Sequence, residues 1–342
     1  MTRRFVAAAI VVIVAAALLI AVWPQLFGLE RQPGVAQLVS LRGLAALVAG
    51  VGVVALLLIA LASRRARRLA ATVALLLLAF TGVTAAVLAT RGANPAGFQT
   101  KAGADLTVLS WNTLGDSPGA AEIAKLALAQ HADIVTLPET SAATADAVRQ
   151  LMTQAGSPMH EWHVSFDEIS KSRTTSLLIS AKLGDYRLDS GHGSTTTLPS
   201  LIAVPVDGDG PTIVAAHPVS PVPGEMANWR QGLDWLAQRC GAGDDVIVAG
   251  DFNSTLDHYA GLGTQTATGN ADLGACHDGA RAAGSAAVGT WPTSLPAQLG
   301  APIDHVMASQ GWTFVGFRVI GNEDGAGSDH RPIVAQLRPG GQ

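Results

Sequence analysis

Two short polar motifs in the second half of the chain combine residue types suited to proton transfer and metal binding. In Gly-Asp251-Phe-Asn253, a carboxylate and an amide occupy alternate positions after an apolar run, so an extended chain presents both on one face. In Ser-Asp329-His330, a carboxylate adjoins an imidazole just before another apolar run. Histidine exchanges protons near neutral pH, and carboxylates can activate water or bind cations. The two motifs therefore favour a catalytic site over ordinary turns.

Four more polar residues lie beside apolar runs of the kind that form strands. Asn112 could be a simple turn residue, and Glu139 could cap the helix that follows it. A charge at the end of an apolar strand is nonetheless costly unless it is paired or bound to a metal. His217 follows an apolar strand, where a lone histidine is often structural, and Asp304 is the candidate that orients His330.

Runs of apolar residues predict the strands and helices that position these side chains. Strand ends place side chains at the rim of a rigid sheet, where loops converge, so we expect the polar residues to meet there. The predicted helices cover residues 119–130, 142–154 and 226–238. The predicted strands cover residues 106–112, 132–138, 176–180, 201–206, 212–217, 246–250, 304–308, 314–319 and 333–337.

The ordered set of motifs resembles the endonuclease/exonuclease/phosphatase superfamily, with its deoxyribonuclease I-like fold, in a membrane-anchored bacterial branch. The set comprises Ser-Trp-Asn112, Leu-Pro-Glu139, His217-Pro, Gly-Asp251-Phe-Asn253, Ile-Asp304-His and Ser-Asp329-His330. The resemblance covers residues 105–338 and implies a four-layered α/β sandwich, in which two mixed β-sheets are flanked by helices. It also implies phosphoester hydrolysis with a divalent cation, usually Mg²⁺, with Mn²⁺ or another divalent cation as alternatives.

Carried over residue by residue, the resemblance implies a metal site and a site for the attacking water. Glu139 matches the family's principal metal ligand, with Asn112 and Asp329 close to the ion. Asp251 and Asn253 match residues that position or activate the water and hold the phosphate. Oxygen ligands of this kind suit Mg²⁺, whereas the sequence lacks the clustered Cys and His ligands of a structural zinc site.

The resemblance also implies roles for three basic residues. His330, oriented by Asp304, matches the histidine that contacts the scissile phosphate. His217 matches a position that helps protonate the leaving group in some branches of the family. Arg230, on the third predicted helix, could contact substrate, although an arginine on an amphipathic helix is more often simply solvated.

Three apolar stretches predict a membrane anchor in residues 1–90, followed by a linker in residues 91–104. Each stretch approaches the ~20 residues that cross a bilayer as a helix, so the lipid bilayer is an expected partner. Trp23-Pro24 offers no small-residue cleavage site after the first stretch, which argues against a signal peptide. The predicted spans are residues 5–22, 43–62 and 69–89.

The arginines beside the spans set the expected orientation, because such residues remain preferentially in the cytoplasm. Arg3-Arg4 flanks the first span, and four arginines fill the loop 64–68 between the second and third spans. The segment 23–42 between the first two spans has only two arginines and one acid. We therefore expect a multi-pass plasma-membrane protein with a cytoplasmic N-terminus and an extracytoplasmic catalytic domain.

The distribution of charge argues against nucleic acid as a partner. The chain has 22 basic residues (Lys or Arg) and 26 acidic residues (Asp or Glu). Residues 1–90 hold eight of the basic residues and one of the acidic residues. The remainder therefore has 14 basic and 25 acidic residues, a formal charge of −11. Affinity for DNA or RNA comes largely from basic side chains that neutralise phosphates. A bound metal ion could still supply the positive charge that a small phosphate substrate needs.

The only two cysteines of the sequence are Cys240 and Cys276, both in the predicted catalytic domain. Thiols outside the cytoplasm tend to oxidise, so the two residues could form a disulfide. Two buried free thiols are the other interpretation, because neither cysteine has metal-ligand spacing or an obvious catalytic neighbour.

The preferred functional hypothesis is a membrane-anchored, extracytoplasmic, Mg²⁺-dependent phosphoesterase that acts on a lipid, lipid-linked or other cell-envelope substrate. An extracytoplasmic nuclease that cleaves DNA is the main alternative. A non-catalytic membrane sensor or scaffold is a weaker one, because every site residue that the resemblance implies is present. Specificity would come from the loops 157–175, 184–200 and 257–302, which the sequence leaves unassigned, as it does any protein partner.

Overall fold

The structure is a computed structural model, in which long apolar helices lead into a β-sandwich. It describes residues 2–93, 97–167, 170–241, 243–263 and 272–340. Parts of the predicted linker and of two predicted specificity loops lie outside these described residues, namely residues 94–96, 168–169 and 264–271.

Two six-stranded mixed sheets form the centre of the sandwich. The first has the strand order β11-β12-β1-β2-β4-β3, and the second has the order β5-β6-β7-β8-β10-β9. Each sheet has one parallel pair, β1 with β2 and β7 with β8, among the antiparallel ones. The strands are β1 Leu106–Ser110, β2 Ile134–Pro138, β3 Met159–Ser165, β4 Thr174–Ser180, β5 Tyr186–Leu188, β6 Leu201–Pro205, β7 Thr212–Ala216, β8 Val246–Asp251, β9 His277–Asp278, β10 Asp304–Ala308, β11 Trp312–Val319 and β12 Ile333–Pro339.

Helices cover the outer faces of both sheets, so the predicted four-layered sandwich is confirmed. The layers follow from the strand geometry, because successive side chains of a strand point to opposite faces of its sheet. Val108 packs into the core between the sheets, whereas its neighbour Leu109 packs outward with Ile123 of α5 and Val148 of α6. The helices are α1 Thr2–Val22, α2 Val35–Ser40, α3 Arg42–Ala62, α4 Arg67–Arg91, α5 Gly119–Ala129, α6 Ala142–Gln154, α7 Met226–Arg239 and α8 Gly279–Ala282.

Helices α1, α3 and α4 are each long and apolar enough to cross a membrane. They extend the three predicted spans by one to three residues at several ends, because flanking arginines continue the helical backbone. Ala21, Ala49 and Phe80 bring the three helices together, and most other apolar side chains on them stay exposed. Such exposure suits a lipid environment, where apolar side chains need no protein partner.

The segment between α1 and α3 is also structured. A short 3-10 helix, Pro24–Phe27, follows α1, and α2 then leads directly into Leu41 and α3. Ala36 of α2 is fully buried against the sandwich, in the cluster that contains Trp229 of α7. No secondary structure was predicted for this segment, because α2 has only six residues and its apolar contact is with a distant part of the chain.

Strand β3 was not predicted, because it is a half-buried edge strand that contains His160, Glu161 and His163. Asp304 begins β10, which has the bounds of the predicted strand 304–308. Since β10 runs antiparallel to β8, the first residue of β10 lies at the sheet edge where β8 ends.

Candidate active site

The ends of four central strands bring the predicted polar residues to one edge of the sandwich. Asp304 at the start of β10 pairs directly with Asp251 at the end of β8. Gly250 makes this edge possible, since a Cβ atom there would lie 2.0 Å from the Ala216 carbonyl oxygen of β7. In the other sheet, Asn112 and Glu139 follow the parallel strands β1 and β2.

Asn112 joins the residues contributed by the two sheets. Its Nδ2 donates to Glu139 Oε1 at 3.1 Å and to Asp251 Oδ2 at 3.1 Å. Its Oδ1 accepts the backbone N–H of Leu114 at 3.0 Å, so the amide is held in one orientation. Asn112 thus fixes the spacing of two carboxylates, a role that turn formation alone does not require.

Glu139 is held by its backbone at the end of β2. Its φ of 57° is a left-handed conformation, and its N–H donates to the Thr174 carbonyl oxygen at 2.9 Å. Burial raises the pKa of Glu139, although the Asn112 hydrogen bond and the charge of His330 oppose that effect. A non-glycine residue in this conformation carries strain of about 1–3 kcal/mol, as functional sites often do.

Asp251 and Asn253 form a compact unit after β8. The Asn253 backbone N–H donates to Asp251 Oδ1 at 2.8 Å, and its Nδ2 donates to Asp251 Oδ2 at 3.1 Å and to the Pro218 carbonyl oxygen at 3.0 Å. Asn253 has a left-handed φ of 46°, which turns its side chain back to the carboxylate. Asp251 is therefore oriented on both oxygens.

His330 is paired with Asp304, as the sequence analysis predicted. Its Nδ1 lies 2.9 Å from Asp304 Oδ2, and its Nε2 lies 3.7 Å from Asp251 Oδ2. Burial lowers the pKa of His330, but Asp304 and Asp251 outweigh burial and raise it to about 10. For Asp251 burial is the larger influence, and its pKa rises to about 7. We assign the proton between them to His330, because two carboxylates face that ring.

His217 completes one side of the site as a neutral ring. Its Nδ1 lies 3.3 Å from Thr175 Oγ1. Its Nε2 lies 3.9 Å from Glu139 Oε1 and has no hydrogen-bond partner among the described residues. Complete burial, together with the charge of His330, lowers the pKa of His217 to about 3. The unpaired ring nitrogen faces the Glu139 carboxylate and is itself fully buried.

Asp329 is held by a tryptophan that the sequence analysis did not single out. Trp291 Nε1 donates to Asp329 Oδ2 at 2.8 Å, whereas Asp329 Oδ1 has no partner within the part of the chain that the structure describes. Trp291 lies in a loop 38 residues away in sequence, and no local pattern marks it.

Five of these side chains form the floor of a cavity of about 400 Å³, namely Glu139, Asp251, Asn253, Asp329 and His330. Asn112, His217 and Asp304 are not among the described lining residues, and each contacts a residue of this floor. No Lys or Arg is among the described residues that line the cavity, and its protonated His330 faces several carboxylates. Gln37, Ser40 and Leu41, which lie between the first two apolar helices, also line the cavity. These three residues were not predicted to belong to the site, since nothing in their local sequence resembles an active-site motif.

Arg230, the possible substrate contact, is not among the described residues that line the cavity. Its Nη1 donates to the Arg31 carbonyl oxygen at 3.0 Å, which ties α7 to the segment between α1 and α3. Cys240 and Cys276 form a disulfide, with their Cα atoms 5.4 Å apart. Neither cysteine belongs to the site.

The model of the Endonuclease/Exonuclease/phosphatase family matches residues 109–330, a range that includes the strand ends described above. The chain belongs to this family. Members of the endonuclease/exonuclease/phosphatase family are metal-dependent phosphoester hydrolases, and this chain is an enzyme of that class. Comparison with curated protein sequences gave no match.

Solved structures of the endonuclease/exonuclease/phosphatase fold resemble the chain at low sequence identity. Humanized D. rerio TDP2 is 18% identical, with a TM-score of 0.51 over 69% of this chain and 99% of that one. D. rerio TDP2 complexed with single-strand DNA product is 19% identical, with a TM-score of 0.51 over 68% and 99%. A Bacteroides thetaiotaomicron mannosyl-6-phosphatase is 14% identical, with a TM-score of 0.48 over 68% and 99%. The two likenesses to D. rerio TDP2 show the fold, and they do not support the expected exclusion of nucleic acid.

The endonuclease/exonuclease/phosphatase family uses a divalent metal, and the donor chemistry of this cavity fits one. Asp304 Oδ1 and Asp329 Oδ1 are buried without hydrogen-bond partners among the described residues, and carboxylate oxygens are the ligands that Mg²⁺ prefers. Ligand atoms of Asp251, Asp304 and His330 lie within 4.8 Å of one another. The predicted ligands Asn112, Glu139 and Asp329 stay a prediction, and two of them, Glu139 and Asp329, line the cavity beside Asp251 and His330.

Proposed function

We propose that the protein is a membrane-anchored, Mg²⁺-dependent phosphoesterase that acts at the outer surface of the plasma membrane on a lipid or another cell-envelope phosphoester. One observation carries the proposal: the buried carboxylate of Asp257 joins the sandwich to two apolar helices. Arg42 at the start of α3 donates to it through Nε and Nη2, at 2.8 and 2.7 Å. Arg91 at the end of α4 donates through Nη1 and Nη2, both at 2.8 Å.

Close backbone packing strengthens the docking of the sandwich on these helix ends. A Cβ atom on Gly43 would lie 2.0 Å from the Gln298 carbonyl oxygen, so the start of α3 touches the sandwich directly. The Ala286 N–H donates to the Arg91 carbonyl oxygen at 3.0 Å. The helices therefore hold the active site in a fixed orientation and do not act as a flexible tether. An active site held in this way meets lipid head groups at a high local concentration.

The distribution of the arginines supports an extracytoplasmic site. On the sandwich side of the apolar helices, Arg42 and Arg91 share the single carboxylate of Asp257, and Arg31 donates to carbonyl oxygens of His258 and Ala260. The other side has more arginines, with four in the loop 64–68 and two more, Arg3 and Arg4, at the first apolar stretch. Since the side with more Lys and Arg next to the spans stays preferentially in the cytoplasm, the sandwich belongs on the opposite side. The Cys240–Cys276 disulfide agrees with that location, because disulfides persist in oxidising compartments.

The arrangement of the site supports in-line attack of water on a phosphoester. Asp251, deprotonated and oriented by Asn253, accepts the proton of the attacking water. Protonated His330 lies next to it and donates to a nonbridging or leaving oxygen of the phosphate. Asn112, Glu139 and Asp329 would hold Mg²⁺, which neutralises charge on the phosphate when bound.

The experiment that tests the proposed function uses the full chain in lipid nanodiscs. Hydrolysis is measured on a panel of lipid and lipid-linked phosphoesters, with Mg²⁺ or EDTA, for the wild type and for His330→Ala. We expect Mg²⁺-dependent turnover of at least one lipid, lost with EDTA and reduced about 10²-fold or more in the variant.

A plasmid-nicking assay on the same nanodiscs tests the nuclease alternative. The lack of Lys and Arg among the described residues that line the cavity disfavours a long polyanion. Rapid Mg²⁺-dependent DNA cleavage without turnover of any lipid would overturn the proposed function.

A further inference from the structure

We infer that the segment between the first two apolar helices is a specificity element of the active site, and that it selects phosphoesters with an apolar chain. The inference rests on the proposed function, since it names the substrate class of that same site. It concerns Gln37, Ser40 and Leu41, which line the cavity together with the catalytic residues. The active site is thus completed by residues that belong to the apolar helical region.

The position of Leu41 brings the cavity wall to the expected membrane boundary. Leu41 directly precedes α3, which has 21 residues and therefore a length of about 32 Å, close to the hydrocarbon thickness of a bilayer. A side chain one residue before such a helix lies at the level of the lipid head groups. A substrate that remains partly in the bilayer can therefore reach this wall without leaving the membrane entirely.

The wall is fixed to the sandwich by hydrogen bonds. Gln37 Nε2 donates to the Pro221 carbonyl oxygen, and Gln37 Oε1 accepts the Gly34 N–H at 2.6 Å. His258 Nε2 lies 3.2 Å from the carbonyl oxygen of Ala36, which is itself fully buried. Because Pro221 also lines the cavity, α2 and the proline-rich loop after β7 form one continuous surface.

The chemistry of the cavity changes from its floor to its walls. The floor is the acidic and imidazole cluster described above, whereas Leu41, Leu114, Leu198, Val222 and Ile303 contribute apolar walls. Leu114 and Val222 are 43% and 44% exposed, so the rim is apolar as well. An apolar rim of this kind favours a hydrocarbon chain that extends from the phosphate.

Few polar groups remain on these walls to recognise a sugar. The Ser40 hydroxyl donates to the Ala36 carbonyl oxygen at 2.9 Å, and both polar atoms of the Gln37 amide are already paired. Ser220 carries the other hydroxyl among the described lining residues, so a polyhydroxylated substrate would replace few of its hydrogen bonds to water here. The apolar walls therefore favour an alkyl, acyl or isoprenoid phosphoester over a sugar phosphate.

The test varies the length of the apolar chain at constant reaction chemistry. Full-length protein in nanodiscs is assayed with two classes of ester. Cleavage of the diesters methyl and octyl 4-nitrophenyl phosphate is measured by nitrophenolate release. Cleavage of the monoesters methyl and octyl phosphate is measured by phosphate release. We expect kcat/KM of the cleaved ester class to be at least about tenfold higher with the octyl chain, since each buried methylene contributes roughly 0.8 kcal/mol.

Three substitutions then assign the selectivity to the wall. Leu41→Gln should lower kcat/KM for the octyl ester about tenfold and leave the methyl ester within about twofold, because the loss concerns only the apolar chain. Leu38→Gln, on the 41% exposed neighbour that does not line the cavity, should change neither value. Leu41→Met, which keeps an apolar side chain, should retain the octyl preference, and an unchanged unfolding midpoint shows that each variant is folded.

The possible results separate the inference from the proposed function. Equal kcat/KM for methyl and octyl esters, or equal loss of both in Leu41→Gln, would overturn the specificity element and leave the phosphoesterase intact. Absence of Mg²⁺-dependent cleavage of all four esters and of the whole lipid panel, with the wild type no faster than His330→Ala, would overturn the proposed function and the inference with it. Turnover of the lipid panel without cleavage of either octyl ester would overturn the inference alone.

Discussion

Asp251 and Asp257 are two buried carboxylates on the same stretch of chain, 1% and 3% exposed, with opposite properties. Burial raises the pKa of Asp251 to about 7, and the charge of His330 only partly opposes that effect. Burial acts on Asp257 as well, but Arg91 and Arg42 outweigh it and hold its pKa well below the ordinary range. Equal burial therefore leaves one carboxylate ready to exchange protons and makes the other a permanent anion. The difference lies in the counterions, two of which come from the apolar helices.

The largest expected effect comes from removing the reactive member of this pair. Asp251→Asn should lower kcat by about 10³-fold, since a positioned general base contributes roughly 10²–10⁴. The unfolding midpoint should change little, because the amide has the size and shape of the carboxylate. Initial rates on the best nanodisc substrate measure the loss, and Asp234→Asn on the exposed face of α7 is the control. A residual kcat above about a tenth of wild type would contradict the assigned role.

Removing the anionic member should instead affect stability. Asp257→Asn leaves Arg42 and Arg91 without their carboxylate and should lower the free energy of unfolding by about 3–5 kcal/mol. The free energy of unfolding is measured by denaturant unfolding of the full chain in detergent, with tryptophan fluorescence as the signal. Asp146→Asn, which breaks the solvent-exposed pair with Arg149, is the control and should leave the midpoint unchanged.

The pH dependence of the stability difference between wild type and Asp257→Asn provides a second test of the role of Asp257. Because its folded pKa is depressed, its contribution is present above the unfolded pKa of about 3.9 and is lost only as the pH falls through the lower folded value. The gap between wild type and Asp257→Asn should therefore persist from about pH 8 to pH 5. A gap that closes within this range would show that the carboxylate is not held as an anion by the arginines.

The smallest expected effect is a shift in the pH profile when the partner of His330 is neutralised. In the wild type, kcat/KM should rise through about pH 7 as Asp251 loses its proton and fall only near pH 10 as His330 loses its own. Asp304→Asn removes the main charge that counteracts the effect of burial on the pKa of His330. The basic limb of the profile, which is the fall of kcat/KM at high pH, should therefore move down by about one pH unit or more.

The control for this shift is the second buried histidine–aspartate pair of the sandwich. His305 Nδ1 lies 2.7 Å from Asp278 Oδ2, and neither residue lines the cavity. Asp278→Asn can destabilise the fold but should leave the basic limb in place. If both variants moved the limb equally, His330 would not be the group responsible.

Local sequence patterns were sufficient for most of the elements and for the composition of the site. The periodic, alanine-rich helix α6 begins and ends at the predicted residues, Ala142 and Gln154. The edge strand β3 and the short helix α2 were missed, because their apolar positions are too few to form a recognisable period. Trp291 was missed for a related reason, since its hydrogen bond to Asp329 connects two loops.

The sequence by itself determined the three apolar helices, the alternation that builds two sheets, and the set of carboxylates, amides and histidines beside the strands. These properties are local, because helical and strand periodicities involve neighbouring residues. Only the tertiary structure decided which buried aspartate is reactive and which is neutralised. Asp257 is 215 residues from Arg42 and 166 from Arg91, and Leu41 reaches the catalytic cavity across a similar separation. Electrostatic and apolar contacts depend on distance in space, and such contacts are formed only when the chain has folded.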